Sequence, residues 1–298
     1  MTASILVVGD VITDILVMPE GPMVRGTDTA ASIRPLPGGS GANQAVWLAA
    51  MGVDAHFAGR VGAADVTRLT RYFEGQGVAA HLAGDDEQPT GTLICIVDPD
   101  GERSFLTDRG ANARLAAEDL PAELLEGHGR LHVSGYALFA PTPRAAVRGL
   151  MDEAARRGIP VSIDPASTGF LAAVGPDAFL DWIAGADMVF PNADEAELLT
   201  GHADPDAQIA ALLARFPRVV LKRGAAGAIY AERGRQAVTL PALDVRARDT
   251  TGAGDAFLAG FIAAQMRGET PEQALAAAIE AGARAVGTIG AQPAAMNG

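Results

Sequence analysis

The stretch Asp249-Thr250-Thr251-Gly252-Ala253-Gly254-Asp255 runs without a break into Ala256-Phe257-Leu258-Ala259-Gly260-Phe261, a glycine-rich turn opening an apolar helix. Small residues at 252–254 let backbone N–H groups converge at a helix N-terminus, where free donors and the helix dipole favour an anion. A phosphate can sit there without a lysine. A carboxylate in the same turn repels a bound phosphate. Asp255 therefore either caps the free amides of the first helical turn or accepts the proton of a hydroxyl attacking that phosphate.

Upstream of this turn, short β-branched runs alternate with Ala- and Leu-rich stretches of helical length. That is the pattern of a mostly parallel sheet with helices on both faces. Strands are predicted over 4–8, 55–61, 130–134, 160–164, 187–190 and 219–222. Helices are predicted over 41–51, 65–76, 142–157, 206–215, 254–267 and 271–286, the last opened by Thr270 and Pro271. Two segments break the alternation. Around Asp98-Pro99-Asp100-Gly101, a tight-turn sequence, residues 92–97 and 103–107 read as a hairpin, and 15–37 is irregular for a helix-flanked sheet. Such an excursion suits a lid over the carboxyl edge of the sheet, or a dimer contact. No repeat, low-complexity tract or linker divides the chain, so 1–298 reads as one domain with lid segments near 15–37 and 90–108.

Composition removes several function classes. The chain has 298 residues, 49% hydrophobic and 20% charged, with 23 Lys+Arg against 36 Asp+Glu and a net charge of −13. No basic footprint exists for nucleic acid or anionic lipid, and an anionic substrate requires locally concentrated positive potential. A single cysteine, Cys95, excludes a disulfide framework and a Cys-rich zinc site. The five histidines form no HExxH motif and read mostly as surface or strand residues. The N-terminus lacks the features of a signal peptide and no apolar run reaches membrane length, so a cytoplasmic location is expected. Lys222 is the only lysine.

Three further motifs carry candidate chemistry. Gly38-Gly39-Ser40-Gly41-Ala42-Asn43-Gln44 is a glycine-rich turn entering an apolar helix, and Asn43 offers donors and an acceptor to hydroxyl groups. It is neither a dinucleotide fingerprint nor a nucleophile elbow. In Asn192-Ala193-Asp194-Glu195, Asn192 and Glu195 lie three apart at a helix start; they either share a hydrated Mg²⁺ or form a capping box. In Val219-Val220-Leu221-Lys222-Arg223-Gly224-Ala225-Ala226-Gly227, Gly224 and Gly227 either form a backbone wall against a flat ring or phosphate, or shape a plain hairpin. No Walker A lysine exists. Asp14 and Asp164 follow strands, where open α/β sheets place ligand groups.

Taken in this order, from Gly9-Asp10 and Asp14 to Asp249-Thr250-Thr251-Gly252-Ala253-Gly254-Asp255, the motifs resemble those of the ribokinase-like carbohydrate kinases of the phosphofructokinase B type. The resemblance covers essentially the whole chain. It implies a three-layer α/β/α sandwich with a mostly parallel central sheet and a small β lid, ATP as phosphoryl donor and Mg²⁺ as its companion. On that resemblance Asp255 is the catalytic base and the backbone of Gly252, Ala253 and Gly254 forms the anion hole. Asp14, Gly39 and Asn43 hold sugar hydroxyls. Asn192 and Glu195 organise Mg²⁺ and phosphates, Glu195 through water, while Lys222, Gly224 and Gly227 line the nucleotide site. The tail Gly290-Ala291-Gln292-Pro293 resembles a monovalent-cation segment, implying K⁺ at the backbone of Asp249 and Thr251. Pairing through lids, common in the family, implies a homodimer.

Two positions depart from ribokinase itself: Ile12 stands where it carries Asn, and Ser40 where it carries Lys, which points away from ribose. The expected activity is transfer of the γ-phosphate of ATP to a hydroxyl of a small sugar or sugar acid. The alternatives are a nucleoside kinase on the same fold and a catalytically silent sugar-binding regulator, against which the intact Asp255 argues.

Overall fold

Alternation within the first strand sets the layers. All five residues of Ser4-Ile5-Leu6-Val7-Val8 are buried; Ile5 and Val7 join one apolar core, and Leu6 joins the other with Val8. A strand buried on both faces needs helices on both sides. The computed structural model describes residues 4–97 and 103–293, so the Asp98-Pro99-Asp100-Gly101 turn lies outside the described residues.

In chain order the elements are β1 (Ser4–Val8), β2 (Ile12–Pro19), β3 (Ala31–Gly38), α1 (Ser40–Ala50), β4 (Asp54–Gly62), α2 (Val66–Gly75), β5 (Val78–Asp85), β6 (Thr90–Val97) and β7 (Arg103–Gly110). There follow β8 (His128–Ser134), α3 (Pro141–Arg156), β9 (Val161–Asp164), α4 (Thr168–Val174), α5 (Pro176–Trp182), β10 (Met188–Val189), α6 (Ala193–Thr200) and α7 (Pro205–Arg215). The last are β11 (Arg218–Lys222), β12 (Ala228–Glu232), β13 (Val238–Leu240), α8 (Ala253–Met266) and α9 (Pro271–Val286).

Among the described residues, one sheet has nine strands in the order β13-β12-β11-β10-β9-β8-β1-β4-β5. Its pairings are parallel except where β12 runs against β11 and β13. One core packs Trp47, Phe73, Phe261 and Leu275, from α1, α2, α8 and α9, on the sheet. The other packs Leu150, Leu171, Phe179 and Leu212, from α3, α4, α5 and α7. The two segments that break the alternation build a second sheet, ordered β3-β2-β6-β7. Among the described residues no helix is long and apolar enough to cross a membrane.

Several boundaries shift for local reasons. Gly39, at φ 95°, takes the N-cap position, so α1 starts at Ser40. The helix expected over 65–76 divides into a 3₁₀ turn, Ala63–Asp65, and α2. The strand expected over 187–190 shortens to β10, followed by Pro191, which has no N–H for the ladder.

Residues Asp255 to Ala264 of α8 are all buried, because the helix lies between the sheet, α1 and α9. Gly260 makes the α9 contact close: a Cβ there would sit 2.7 Å from the Ala277 carbonyl oxygen and 2.9 Å from the Ala281 methyl. Both neighbours belong to a rigid helix. Gly260→Ala should therefore lose stability despite the better helix propensity of alanine, by about 1–3 kcal/mol. Urea unfolding, read as a lower midpoint, checks this.

Candidate active site

The carboxyl edge of the sheet gathers the glycine-rich turns through close backbone approach. Gly9, after β1, faces Gly41 of α1 so tightly that a Cβ on Gly9 would lie 2.6 Å from the Gly41 Cα. Gly41 N donates to Asp10 Oδ1 at 3.2 Å and Ala42 N to Asp10 O at 3.1 Å. Gly39 packs on Asp10 and Val11 with no room for a side chain. Asp10 and α1 are thereby locked beside the next charged group.

Asp255, in the first turn of α8, is buried and accepts three hydrogen bonds. Ser40 Oγ donates to Oδ1 at 2.7 Å, Gln44 Nε2 to Oδ1 at 2.9 Å and Asn43 Nδ2 to Oδ2 at 3.1 Å. Burial first, then the nearby Asp164 carboxylate, pushes the Asp255 pKa up to about 7, against the pull of the Ser40 and Asn43 donors and the Lys222 charge. The glycine-rich turn and the Asp255 turn, 212 residues apart at their Asn43–Asp255 contact, thus form one site.

Gln44 extends it. Its Nε2 also donates to Asp164 Oδ2 at 3.0 Å, so its Oε1 must accept, and the partner at 3.0 Å is His132 Nε2. His132 therefore carries its proton on Nε2 and accepts on Nδ1 from Ser162 Oγ at 2.9 Å. Burial, reinforced by the Arg130 and Lys222 charges, pushes the His132 pKa down to about 3, which keeps the ring neutral.

On the far side of Asp164, Lys222 Nζ donates to Asp164 Oδ1 at 2.9 Å. Burial disfavours its charge, but Asp164 and Glu195 more than offset that and hold the Lys222 pKa above its ordinary value. A Cβ on Gly254 would lie 3.6 Å from the ammonium, so the only lysine borders the Gly252–Gly254 turn. Lys222, Gly224, Gly227, Gly254 and Phe257 share a cleft of about 440 Å³. Gly227 is required by packing, since a Cβ would meet the Leu240 carbonyl oxygen at 2.0 Å, whereas the Cβ direction of Gly224 is open.

Asn192 and Glu195 form the capping box of α6: Glu195 N donates to Asn192 Oδ1 and Asn192 N to Glu195 Oε2, each at 2.8 Å. Capping and placement at the edge prove compatible, because Asn192 bridges to Lys222. Burial raises the Glu195 pKa to about 7 despite the Lys222 charge. Among the described residues no group of three His, Cys, Asp or Glu side chains could hold a metal directly. One carboxylate with waters and phosphates is the donor set that suits Mg²⁺.

At the 252–254 turn, Gly252 adopts φ 74° as N-cap of α8. Ala253 N donates to Thr250 O at 3.2 Å, so that amide is shared rather than wholly available. The tail seals the turn from behind: a Cβ on Gly252 would lie 2.3 Å from Ala291 O, which accepts from Trp47 Nε1 at 2.9 Å. Asp249 accepts from Thr251 N at 2.9 Å and from Gly290 N at 3.1 Å, and Gln292 Nε2 donates to Asn43 Oδ1 at 3.0 Å.

Asp14 stands apart from this network, on β2. Its carboxyl lies over Gly38, where a Cβ would come within 2.2 Å of Oδ2. Burial, then the Asp10 carboxylate, pushes the Asp14 pKa up to about 7. Sequence reasoning gave no role to Gln44, although it stands inside a quoted motif, and read His132 as an ordinary strand or surface residue. Their positions, one turn into α1 and near the carboxyl end of β8, were the available signal.

The comparisons with known proteins agree with this geometry. The pfkB family carbohydrate kinase profile matches residues 2–297. A fructokinase of Klebsiella pneumoniae is 34% identical over 273 residues, spanning 88% of this chain and 84% of its own. An ATP-dependent ribose-1-phosphate kinase of Halopiger xanaduensis is 32% identical over 286 residues, spanning 92% and 88%. The solved structure of Arabidopsis thaliana ribokinase, complexed with ribose and ATP, superposes with a TM-score of 0.83 at 24% identity, over 98% of this chain and 95% of that one. The fold is therefore ribokinase-like.

The raised pKa of Asp14 has a stability consequence. The folded protein holds that proton more tightly than the unfolded chain, so the group contributes stability below about pH 4 that is lost as pH rises towards 7. Asp14→Asn should raise the melting temperature at pH 8 and leave it nearly unchanged at pH 4. A melting series across that range tests it.

Proposed function

This chain belongs to the pfkB family of carbohydrate kinases, phosphotransferases with an alcohol group as acceptor, and within it we propose an ATP-dependent kinase of a small sugar or sugar acid with Asp255 as base. The observation that carries this reading is the buried Asp255 carboxylate, held by Ser40, Asn43 and Gln44 in the first turn of α8 with its pKa near neutrality. A base whose pKa lies near working pH can take a hydroxyl proton and still exist ionised beforehand.

In this reading the acceptor hydroxyl, with Asn43, Gly39 and Asp14 holding its neighbours, points at Asp255. The acceptor oxygen bonds to the γ-phosphorus of ATP as the bond from that phosphorus to the β,γ-bridging oxygen breaks. The bridging oxygen leaves with the electron pair on ADP, and the hydroxyl proton passes to Asp255. The amides of Gly252, Ala253 and Gly254 steady the transferring group at the positive end of α8, Ala253 by giving up its turn bond to Thr250. The cleft at Lys222, Gly224 and Gly227 takes the nucleotide. Asn192 and Glu195 hold Mg²⁺ through water, and Mg²⁺ when bound neutralises phosphate charge. Asp249, by tying the 251 turn to Gly290, orders the backbone around Asp249 and Thr251 for K⁺. The four-stranded sheet serves as a lid that excludes water from the acceptor.

A second reading, a nucleoside kinase, is favoured by the aromatic cluster of Tyr136, Phe139 and Phe170, in which Phe139 and Phe170 stack at 5.1 Å. It ranks below the sugar kinase because the sugar-contacting turns are complete without it.

ADP release from ATP and Mg²⁺ across pentoses, hexoses, sugar acids, sugar phosphates and nucleosides tests these readings, with K⁺ exchanged for Na⁺ in a parallel series. One sugar or sugar acid should give turnover that K⁺ raises. Asp255→Asn should lower kcat by about 10²–10⁴-fold. Wild-type kcat/KM should fall about tenfold per unit below about pH 7, as the base of the free enzyme protonates. Near-normal turnover of Asp255→Asn removes Asp255 from the chemistry.

We also place a homodimer contact on the lid face opposite Asp14. Ile15, Val17, Ile33, Ile94 and Leu106 share that face by register, and Ile33 and Leu106 are 62% and 60% exposed. Sedimentation should give a dimer that Ile33→Glu converts to monomer.

A further inference from the structure

Arg109 near the end of β7 is a cation that the proposed chemistry leaves unused. Ile12 pairs with Gly38 and with Gly91, and the flanking pairs Thr92–Asp108 and Thr90–Gly110 set Gly91 opposite Arg109. Side chains alternate along a strand, so Arg109 shares the face of the lid that carries Asp14, two residues from Ile12. With about 4.8 Å between strands and about 3.3 Å per residue, the Cα atoms of Asp14 and Arg109 are on the order of 12 Å apart. A small sugar with one extended substituent bridges the space between the two side chains.

The guanidinium leans across from the lid onto the body. Its carbon lies 5.9 Å from the ring centroid of Tyr136 and 6.0 Å from that of Phe170. Tyr136 follows the carboxyl end of β8, and Phe170 lies in α4 after β9. Burial, then the Asp10 carboxylate, with Asp255 and Asp164 weaker, raises the Tyr136 pKa, so this ring borders the acidic acceptor region. Arg109 Nη1 is buried there and has no hydrogen-bond partner.

The backbone of Arg109 is built in. Asn112 Nδ2 donates to Arg109 O at 3.0 Å and to Val11 O at 2.8 Å, while Asn112 Oδ1 accepts from Val11 N at 2.9 Å. Gly91 opposite leaves no space for movement, since a Cβ there would lie 2.7 Å from Asn112 Nδ2 and 2.8 Å from Arg109 O. The arginine backbone is thus fixed, through Asn112, to Val11 at the base of the lid.

We propose that Arg109 binds an anionic group, a carboxylate or a phosphate, on the acceptor at the end remote from the hydroxyl that meets Asp255. This rests on the sugar-kinase reading and narrows it. A guanidinium has only donors and stays charged, so the group that completes it is an acceptor, and an oxyanion completes it best. The surrounding charge agrees. Asp10, Asp14, Asp164 and Asp255 make the region acidic in a chain of net charge −13, and Lys222 is already paired with Asp164. A local cation is what admits an anionic acceptor. Arg109 already stands over Tyr136 and Phe170, 5.9 and 6.0 Å from their ring centroids, which takes up room that a nucleobase would need on those two faces.

The test compares matched acceptors in wild type and Arg109→Gln: D-ribose with D-ribose 1-phosphate, D-fructose with D-fructose 1-phosphate, and D-glucose with D-gluconate. Turnover is followed as ADP release, and binding to each sugar without ATP by thermal shift. We expect wild type to favour the anionic member of at least one pair, and Arg109→Gln to cut the anionic-to-neutral ratio of kcat/KM roughly 10- to 100-fold, chiefly through KM. The phosphate and gluconate arms separate the two oxyanions. Equal or better use of neutral sugars by wild type, preference for a nucleoside, or an unchanged ratio in Arg109→Gln overturns the proposal. If no acceptor gives ADP, the kinase reading fails. Arg109-dependent shifts with an anionic sugar then still support the anion site, and their absence overturns it too.

Discussion

The buried carboxamide of Gln44 is the constraint around which the site is arranged. Its Nε2 faces Asp164 and Asp255, its Oε1 faces His132, and reversing it would set its oxygen against two carboxylates. One side chain on α1 therefore ties α8, β8 and the end of β9 into fixed relation. The chain of contacts then continues through Asp164 to Lys222 on β11. Two carboxylates and one ammonium share this region, and burying such groups is unfavourable unless each is paired and hydrogen-bonded. Burial first, then the neighbouring Asp164 charge, favours the protonated form and puts the Asp255 pKa near neutrality. The condition that would make Asp255 a competent base in the proposed reaction thus arises from the same burial that fixes its position.

Close backbone approach supplies the rest of the preorganisation. Gly9 meets Gly41, Gly39 meets Asp10, and Gly252 meets Ala291, all at separations that exclude a Cβ. Each contact brings a turn from one part of the chain against another, so the proposed base, anion turn and acceptor-binding turn are positioned without flexible side chains. Trp47, donating to Ala291, and Gln292, donating to Asn43, add the carboxyl-terminal segment to the same unit.

The second sheet answers the electrostatic problem posed by composition. An acidic protein that handles phosphates has to set its few cations with care. Lys222 is spent on Asp164 beside the proposed nucleotide cleft, while Arg109 reaches from β7 over Tyr136 and Phe170 on the proposed acceptor side. Two cations at opposite ends of an acidic trough would orient a donor and an acceptor towards Asp255 between them.

Much of this was legible in the sequence, because the signals were local. Alternating β-branched and Ala/Leu-rich runs set the layered sheet, since strand and helix periods depend on neighbours along the chain. The glycine turns at 38–41 and 252–254 marked close backbone approach, which a Cβ on Gly39, Gly41 or Gly252 would block. Asn192 and Glu195 showed their capping spacing directly. Other features were decided by tertiary structure alone. That Gln44 and His132 come together follows from α1 crossing β8, and that Lys222 lies beside Gly254 follows from the start of α8 meeting the end of β11. Arg109 could not be distinguished from the other arginines, because nothing within β7 marks it. Its significance comes from rings on β8 and β9 connections that only folding brings beneath it. Periodicity and turn chemistry are written in adjacent residues, whereas charge pairing and burial depend on distances that chain order does not encode.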